Sequence, residues 1–348
     1  MDLTNLEEIK KLDPMGVGKA LELFPDQIKE TWKQAVASNI PSFNPKAIIV
    51  SGMGGSSNAA KILQGLYESK LKIPFEVFND YGLPAWVNSE TLVVANSYSG
   101  NTEETLSAIE QAKKVGANVI GVATGGKIAE MIKSGDIHGA LITPGESNPT
   151  GFPKSGLGVS LGGLIGSLAK GGVLHITEDE INSALDELIK IRQGWNVKEM
   201  AEWLNGYLPV LFGGKPFIGA INAGRNAMCE ISRNFTQFYD FPEVNHVLIE
   251  ATMKPDPAKE KVKYLFFESP FNEERVRLRF EITQKIFDEQ GLQHRNYSLE
   301  ASSELGQAFE ISHYAAWLGF YLSILQDTDP GPEPWILKLK SELSQPLH

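Results

Sequence analysis

The sequence predicts an α/β protein built from two units, each a parallel β-sheet with helices on both of its faces. Short apolar runs alternate with helical segments along the first half of the chain, the pattern of a parallel sheet with right-handed crossovers. Turns rich in glycine or hydroxyl residues follow several of these runs, as is typical where a strand leads into a helix. The second half repeats this order of elements with few matching residues, so we interpret it as a second unit of the same architecture.

The elements of the first half follow from hydrophobic periodicity. Residues 5–38 are expected to be helical, because apolar residues such as Ile28 and Trp32 recur on spaced faces. Five strands are expected at 47–50, 75–78, 92–95, 119–122 and 140–143. Helices are expected after the first strand as far as Tyr67, after the third at 103–115, and after the fourth.

The second half begins after a charged helical connection over 176–205, where Thr177 and Glu180 have the spacing of a capping box. Strands are expected at 216–221, 263–267 and 293–299, with one helix ending at Phe235 and another at 274–290. This predicts four parts, namely N-terminal helices (1–38), a first domain (39–175), the connection (176–205) and a second domain with C-terminal helices (206–348).

The charge balance excludes some classes of partner. The 348 residues include 43 acidic and 32 basic residues, which gives a formal net charge of −11. Such a chain repels nucleic acid and anionic membranes, so neither is expected as a partner. An anionic ligand would have to be held by local donors and not by the overall field.

Cysteine usage and hydropathy favour a cytoplasmic protein without a metal. Cys229 is the only cysteine, so no intrachain disulfide is possible, and no cluster of cysteine and histidine suggests a zinc site. The amino terminus lacks the basic and apolar segments of a signal peptide. The apolar stretch 314–325 is too short to span a bilayer.

The segment Ser97-Tyr-Ser-Gly-Asn-Thr102 directly follows an apolar run and precedes a helix. Helix N-termini carry unpaired N–H groups and a partial positive charge, and Ser97, Ser99 and Thr102 add hydroxyl donors. Ordinary N-capping is the alternative explanation for any one of these residues. Three hydroxyls at the carboxyl end of a buried strand favour a phosphate site. The second half has no such turn, which predicts one ligand site per chain, bordered by both halves.

A second candidate loop, Ser51-Gly-Met-Gly-Gly-Ser56, follows the first strand. Gly54, Gly55 and Ser56 would let a ligand approach the backbone and its amides closely. The same glycines partly match a dinucleotide-binding fingerprint, in which Asp80 could bind a ribose. Ser57 stands where that fingerprint has its third glycine. A nicotinamide or flavin enzyme is therefore an alternative interpretation.

These segments resemble the sugar isomerase (SIS) domain family, and more closely its bifunctional phosphoglucose/phosphomannose isomerases. The resemblance rests on five segments that lie in order along the chain, namely 51–56, 97–102, Thr124-Gly-Gly126, Pro242-Glu-Val-Asn-His246 and Ile336-Leu-Lys-Leu-Lys340. It implies two three-layer αβα SIS domains, a sugar phosphate as substrate and no metal or organic cofactor. It also implies a homodimer with sites near the subunit boundary.

The resemblance also implies roles for particular residues. Glu230 matches the family's base, and its apolar neighbours would raise the pKa of its carboxyl toward neutrality. His246 matches the ring-opening histidine, which the family often contributes across the subunit interface. Val247 follows it where the family commonly has asparagine. Lys340 matches the C-terminal lysine at the ring-opening end of the substrate. Taken alone, each of these three residues could equally be an ordinary surface residue.

The clearest departure from the family pattern is Lys154, in Gly151-Phe-Pro-Lys154. The family usually has an arginine here, which stabilises the negative charge of an enediolate. A lysine keeps the charge and loses the planar fork of donors, so the exchange is not conservative. We expect a slower enzyme or one with a shifted substrate preference.

The function that the sequence favours is an aldose–ketose isomerase that converts glucose 6-phosphate, mannose 6-phosphate or both to fructose 6-phosphate. Two alternatives stay open. The chain could be a non-catalytic regulator that binds phosphosugars, or an SIS isomerase for another sugar phosphate.

Overall fold

Two parallel β-sheets form the framework of a computed structural model, which describes residues 3–343 apart from the side chains at 257 and 258. The five strands of the first sheet are β1 (Ala47–Ser51), β2 (Phe75–Phe78), β3 (Thr91–Asn96), β4 (Asn118–Ala123) and β5 (His138–Leu141). Their order in the sheet is β2-β1-β3-β4-β5, and every pair is parallel. The predicted parallel sheet is confirmed, with the last strand displaced two residues toward the amino terminus.

The second sheet has four parallel strands, β6 (Leu208–Gly214), β7 (Gln237–Phe241), β8 (Val262–Glu268) and β9 (Gln293–Ser298). Their order is β7-β6-β8-β9, which matches the first four strands of the first sheet. The two halves therefore share one architecture, as the repeated order of elements predicts.

Fifteen helices occur among the described residues: α1 (Leu6–Leu12), α2 (Val17–Glu22), α3 (Phe24–Val36), α4 (Gly54–Tyr67), α5 (Glu103–Val115), α6 (Gly126–Ser134), α7 (Leu157–Lys170), α8 (Glu178–Ile191), α9 (Val197–Leu204), α10 (Ile218–Ser232), α11 (Val244–Ala251), α12 (Asp256–Lys261), α13 (Glu274–Gln290), α14 (Glu304–Leu325) and α15 (Pro334–Leu343). Short 3₁₀ turns lie at Gly145–Ser147, Pro153–Ser155 and Arg192–Gly194. The capping box at the start of α8 is present in full. Within the described range, no helix is long and apolar enough to cross a membrane.

The strand predicted at 216–221 is wrong, because this segment opens α10 and the strand before it is β6. Residues 222–224, which follow this segment, lie inside the same helix. Small residues explain the error: Gly219, Ala220, Ala223 and Gly224 are buried in the helix between its neighbours. A helix buried on most sides has no polar stripe, so its periodicity is weak.

Helices α4 and α10 join the two halves in close antiparallel contact. A Cβ atom at Gly219 would lie 2.1 Å from the carbonyl oxygen of Lys61, so the two backbones touch. Further along, the amides of Asn222 and Asn226 both donate to Oδ1 of Asn58, at 3.2 and 2.7 Å. One hydrophobic core extends through both halves at this contact.

The close contact of the two helices predicts a sharp loss of stability in Gly219→Ala. The added methyl group would collide with backbone, which cannot rotate away as a side chain can. We expect the free energy of unfolding to fall by about 2–3 kcal/mol, measured by urea denaturation. Gly194→Ala is the matched control, because a Cβ atom there meets nothing within 4 Å. Equal losses in both variants would contradict the proposed backbone contact.

Candidate active site

The topology of the first sheet creates a crevice between β1 and β3. From β1 the chain crosses through α4 to β2 on one side, and from β3 it crosses through α5 to β4 on the other. Ligands of doubly wound sheets bind where the connections diverge in this way, at the carboxyl ends of the strands. Both predicted loops follow these two strands, and they meet there: the Tyr98 N–H donates to Ser56 Oγ at 3.1 Å.

The hydroxyl-rich turn is stabilised from within. The hydroxyl groups of Ser97 and Thr102 are 2.8 Å apart, and the Gly100 N–H donates to Ser97 Oγ at 3.1 Å. Ser97 is only 1% exposed, so its hydroxyl shapes the turn, whereas Ser99 is exposed and Thr102 half-buried. Gly100 has a φ of +69°, and a Cβ atom there would lie 1.8 Å from the Gly125 carbonyl oxygen. The turn therefore requires glycine at this position.

Thr102 occupies the N-cap position of α5, yet its side chain makes no capping hydrogen bond. The first-turn amides of α5 are thus left without a side-chain cap, and simple capping does not account for this threonine. Helix α4 also begins at this edge, at Gly54, without a side-chain cap, whereas in the first turn of α6 the Lys127 N–H donates to Asn101 Oδ1 at 3.0 Å. Three helix N-termini at this edge, two of them without a side-chain cap, supply a local positive potential within an acidic chain.

The glycine-rich loop leaves open space before α4. Gly54 has a φ of +52°, and a Cβ atom there would meet nothing within 4 Å. Asn79 steadies the loop by donating to the Gly52 carbonyl and to Ser57 Oγ, at 2.6 and 2.7 Å. Asp80, the ribose candidate of the dinucleotide interpretation, instead accepts a hydrogen bond from its neighbour's amide.

Tyr98 links the hydroxyl-rich turn to the short turn that carries Lys154. Its hydroxyl accepts a hydrogen bond from the Asn148 side chain at 2.7 Å. Its ring packs so close to Gly156 that a Cβ atom there would lie 2.7 Å from it. On the other side, the Pro153 carbonyl would lie 3.4 Å from a Cβ atom at Gly55. Lys154 is therefore anchored beside the start of α4.

The Lys154 ammonium is enclosed by the segment that precedes the terminal helix. It donates to the Pro330 carbonyl at 2.7 Å and lies 3.7 Å from Oε1 of Glu333, with the lysine side chain 1% exposed. Burial lowers the pKa of Lys154, and the carboxylates of Glu333 and Glu230 oppose that shift. A lysine held in this way presents a positive charge to the crevice.

Glu230 reaches the same place from α10. Because α10 runs antiparallel to α4, a residue one turn beyond Asn226 lies toward the amino end of α4, beside Lys154. Burial and, to a smaller extent, the Glu333 carboxylate raise the pKa of Glu230 to about 7 against the opposing charges of Lys154, Arg225 and Lys340. A carboxyl with this pKa can take up and release a proton near neutral pH.

Two other predicted site residues, Lys340 and His246, are exposed. Lys340 is exposed on α15, where its charge still acts on Glu230. His246 is exposed on α11, a helix that packs against β7 and α13. Within the described chain, no hydrogen bond or ion pair joins its imidazole to Glu230 or Lys154.

Sequence reasoning missed Glu333, Arg233 and Asn148. Glu333 lies at the wall of the crevice, and Arg233 at the end of α10 donates to the carbonyls of Asp329 and Pro332, at 3.0 and 2.8 Å. The acidic, proline-rich stretch 327–334 was the available signal. It carries no motif, so only the structure shows that it lines the site.

The second sheet has an equivalent crevice between β6 and β8, and the protein's own side chains fill it. The Asn272 amide donates to the Lys215 carbonyl at 2.8 Å, and Ser269 donates to Gln307 at 2.5 Å. A Cβ atom at Gly214 would lie 2.9 Å from Val276. At the second crevice α10 also begins without a side-chain cap, whereas the Glu273 side chain caps α13, so the two crevices differ in their loops and in the packing of Asn272 and Val276.

Comparison with known families matches both halves of the chain. Residues 43–152 match the SIS domain, and residues 196–343 match the bacterial phospho-glucose isomerase C-terminal SIS domain. Two similar proteins are both called bifunctional phosphoglucose/phosphomannose isomerase. The one from Aquifex aeolicus is 30% identical over 94% of this chain and 98% of its own length. The one from Caldicellulosiruptor bescii is 28% identical over 92% and 97%.

Solved structures support the fold. The C-terminal domain of glucosamine-fructose-6-phosphate aminotransferase from Francisella tularensis superposes with a TM-score of 0.70 at 14% identity, covering 91% of this chain and 98% of that one. At this identity the likeness shows the fold alone, which is that of two consecutive SIS-type units.

Because the pKa of Glu230 is raised, we predict that its ionised carboxylate lowers the free energy of unfolding at high pH. In the unfolded chain the carboxyl ionises near 4.5, whereas in the folded protein it stays protonated up to about pH 7. The folded state binds more protons across this window, so stability falls as pH rises through it. Glu230→Gln, which resembles the protonated form, should therefore stabilise the protein, and by about 2–3 kcal/mol more at pH 8 than at pH 5.

The measurement is urea unfolding of the wild type and Glu230→Gln at both pH values. Glu342→Gln, an exposed position on α15, is the control and should differ little from the wild type at either. A stability gain from Glu230→Gln that is the same at pH 5 and pH 8 would contradict the assigned pKa.

Proposed function

We propose that this chain, which belongs to the family of bifunctional phosphoglucose/phosphomannose isomerases, converts glucose 6-phosphate, mannose 6-phosphate or both to fructose 6-phosphate through an enediol. The chain is an aldose–ketose isomerase of sugar phosphates, and the proposal concerns its substrates and mechanism. The observation that supports it most is the pairing of Glu230, a carboxyl with a pKa of about 7, with the buried Lys154 ammonium.

The proton transfer is assigned to Glu230. Its carboxylate takes the proton from C2 of the open-chain aldose, and the electron pair left behind moves the negative charge onto O1. The resulting enediolate lies beside Lys154, whose positive charge stabilises it. Glu230 returns the proton to C1, and the proton on O2 passes to O1, so that O2 becomes the ketose carbonyl and O1 a hydroxyl. Attack on either stereoisomer at C2 gives the same enediol, so glucose and mannose phosphates share one product.

The phosphate is assigned to the hydroxyl-rich turn. Ser99 and Thr102 would donate their hydroxyls, together with the uncapped amides of α5. Ser97 would act through Thr102, with which it shares a hydrogen bond. Gly54, Gly55 and Ser56 would line the sugar between the phosphate and Glu230. All donors in this arrangement are local, as an acidic protein requires.

Ring opening is assigned to His246 and Lys340. His246 is exposed and unconnected to Glu230 in its own subunit, whereas the reaction needs it at the substrate. We therefore propose a homodimer in which His246 acts in the partner's site. The exposed apolar side chains of α11 and α13, such as Val247 and Ile282, are suited to burial in that dimer.

The main test of the function is a coupled assay for fructose 6-phosphate from both aldoses. We expect activity in the wild type and a loss of at least about a thousandfold in Glu230→Gln, since the amide cannot accept the C2 proton. Glu342→Gln is the control, with unchanged activity expected.

Isotope exchange separates the enzyme from a phosphosugar-binding regulator. In D₂O the enzyme should introduce deuterium at C2 of recovered aldose phosphate. Binding of hexose phosphate without any exchange would overturn the isomerase assignment. Exchange that persists in Glu230→Gln would remove Glu230 as the base and leave the reaction itself intact.

The phosphate assignment predicts a selective effect of Thr102→Ala. A hydrogen bond to a charged group is worth about 1.5–3 kcal/mol, so KM for hexose 6-phosphate should rise about tenfold or more. Ser134→Ala, at the exposed end of α6, is the control. If inorganic phosphate competes equally well against substrate in the wild type and in Thr102→Ala, the turn is not the phosphate site.

A further inference from the structure

The segment 329–333 is tied to the body of the protein by its backbone. The Pro330 carbonyl accepts from Lys154, and the carbonyls of Asp329 and Pro332 accept from Arg233. Asp329 also bonds the Gly331 N–H at 2.7 Å through its own side chain. These contacts hold the segment without help from the side chain of Glu333.

Glu333 nevertheless turns its carboxylate inward. Its side chain is 12% exposed and lies 3.7 Å from Lys154 Nζ, beyond hydrogen-bonding distance. A half-buried carboxylate with an ion pair, and with no side-chain hydrogen bond to any described residue, gains little from this position, because desolvation offsets the attraction. Stability alone therefore does not explain its placement.

Charged groups from several elements act on Lys154, the partner of Glu333. They are Glu333 and Asp329 from the segment 329–333, and Glu230 and Arg233 from α10 and its end, and Glu333 acts on Glu230 as well. Lys340, on α15, contributes to the same field at Glu230. Two carboxylates, Glu230 and Glu333, thus compete for the single Lys154 ammonium.

We propose that Glu333 is a positioning residue of the isomerisation, which holds the Lys154 ammonium away from the Glu230 carboxylate and toward the substrate. This inference rests on the proposed function, since it presupposes that Glu230 is the base. A lysine is a compact charge on a flexible stem, so its position must be imposed by its partners. Of its three N–H donors, the Pro330 carbonyl takes one, and Glu333 attracts the ammonium from 3.7 Å without accepting a hydrogen bond, which leaves donors for the enediolate oxygen.

Without Glu333, Lys154 would be drawn to Glu230. That ion pair would lower the proton affinity of the base and withdraw the ammonium from the substrate. The electrostatic effects on Glu230 agree with this expectation in sign: Glu333 raises its pKa, and Lys154 lowers it. A planar arginine, held by several donors at once, would depend less on such a partner.

The test is the pH profile of Glu333→Gln. We expect kcat to fall about tenfold with KM within twofold of the wild type, because the substrate's phosphate contacts are untouched. The acid limb of kcat/KM should move to lower pH, since removal of a neighbouring negative charge lowers the pKa of Glu230. Glu333→Asp should recover much of the wild-type kcat and of the wild-type pH profile. Glu342→Gln should match the wild type in both.

A second measurement needs no turnover. The ¹³C carboxyl signal of Glu230, followed by NMR in the substrate-free protein, should titrate at lower pH in Glu333→Gln than in the wild type. An unchanged titration together with an unchanged pH profile overturns the role of Glu333 and leaves the isomerase intact. A wild type that converts neither aldose overturns the proposed function and this inference with it.

Discussion

The antiparallel contact of α4 and α10 is the constraint on which the site depends. Helix α4 begins at the glycine-rich loop of the first sheet, and α10 carries Glu230 from the second half. Because the backbones touch at Gly219 and Lys61, the axial register of one helix on the other is fixed. A slip of one turn would move Glu230 by about 5 Å and separate it from Lys154. The two halves therefore form one site only because small residues allow this close approach.

The groups that can attract an anion to the crevice lie in the crevice itself and not in the overall charge of the chain. The chain has a net charge of −11, yet α4 and α5 begin without side-chain caps at the same sheet edge. Helix ends and hydroxyls attract an anion at short range, where screening has little effect. The repeated architecture offers a second crevice, but there the side chains of Asn272 and Ser269 bond to Lys215 and Gln307. The two halves thus share a fold and differ in the loops at this edge of the sheet.

Much of the fold could be predicted from the sequence, and the errors have physical causes. The strands around 92–95 and 263–267 and the helix at 274–290 occur as expected, because apolar runs and amphipathic periodicity identify them. The start of α10 was taken for a strand, since a helix packed on several sides shows no polar face. β7 was missed because only one of its five residues is fully buried.

The candidate site was partly predictable for a related reason. Ser97, Thr102 and Gly54 follow strands, so the sheet topology alone brings them together. Glu230 and Lys154 could be matched only through a resemblance, and their proximity depends on helix packing between halves. Glu333 belongs to no motif and lies about a hundred residues beyond Glu230. His246 lies exposed on α11, and its proposed place in the partner's site depends on an association of two subunits that residue patterns within one chain do not specify.

The three charges of the site illustrate how function can oppose stability. Glu230 is buried where ionisation is unfavourable, and Glu333 places a second carboxylate nearby instead of a neutral side chain. Lys154, whose own pKa is lowered by burial, interacts with both carboxylates, and Arg225 and Lys340 also act on Glu230. An arrangement chosen for stability alone would not place two carboxylates beside one buried ammonium. Under the proposed function, this arrangement keeps the base protonatable near neutral pH and places a cation where the negative charge of the intermediate develops.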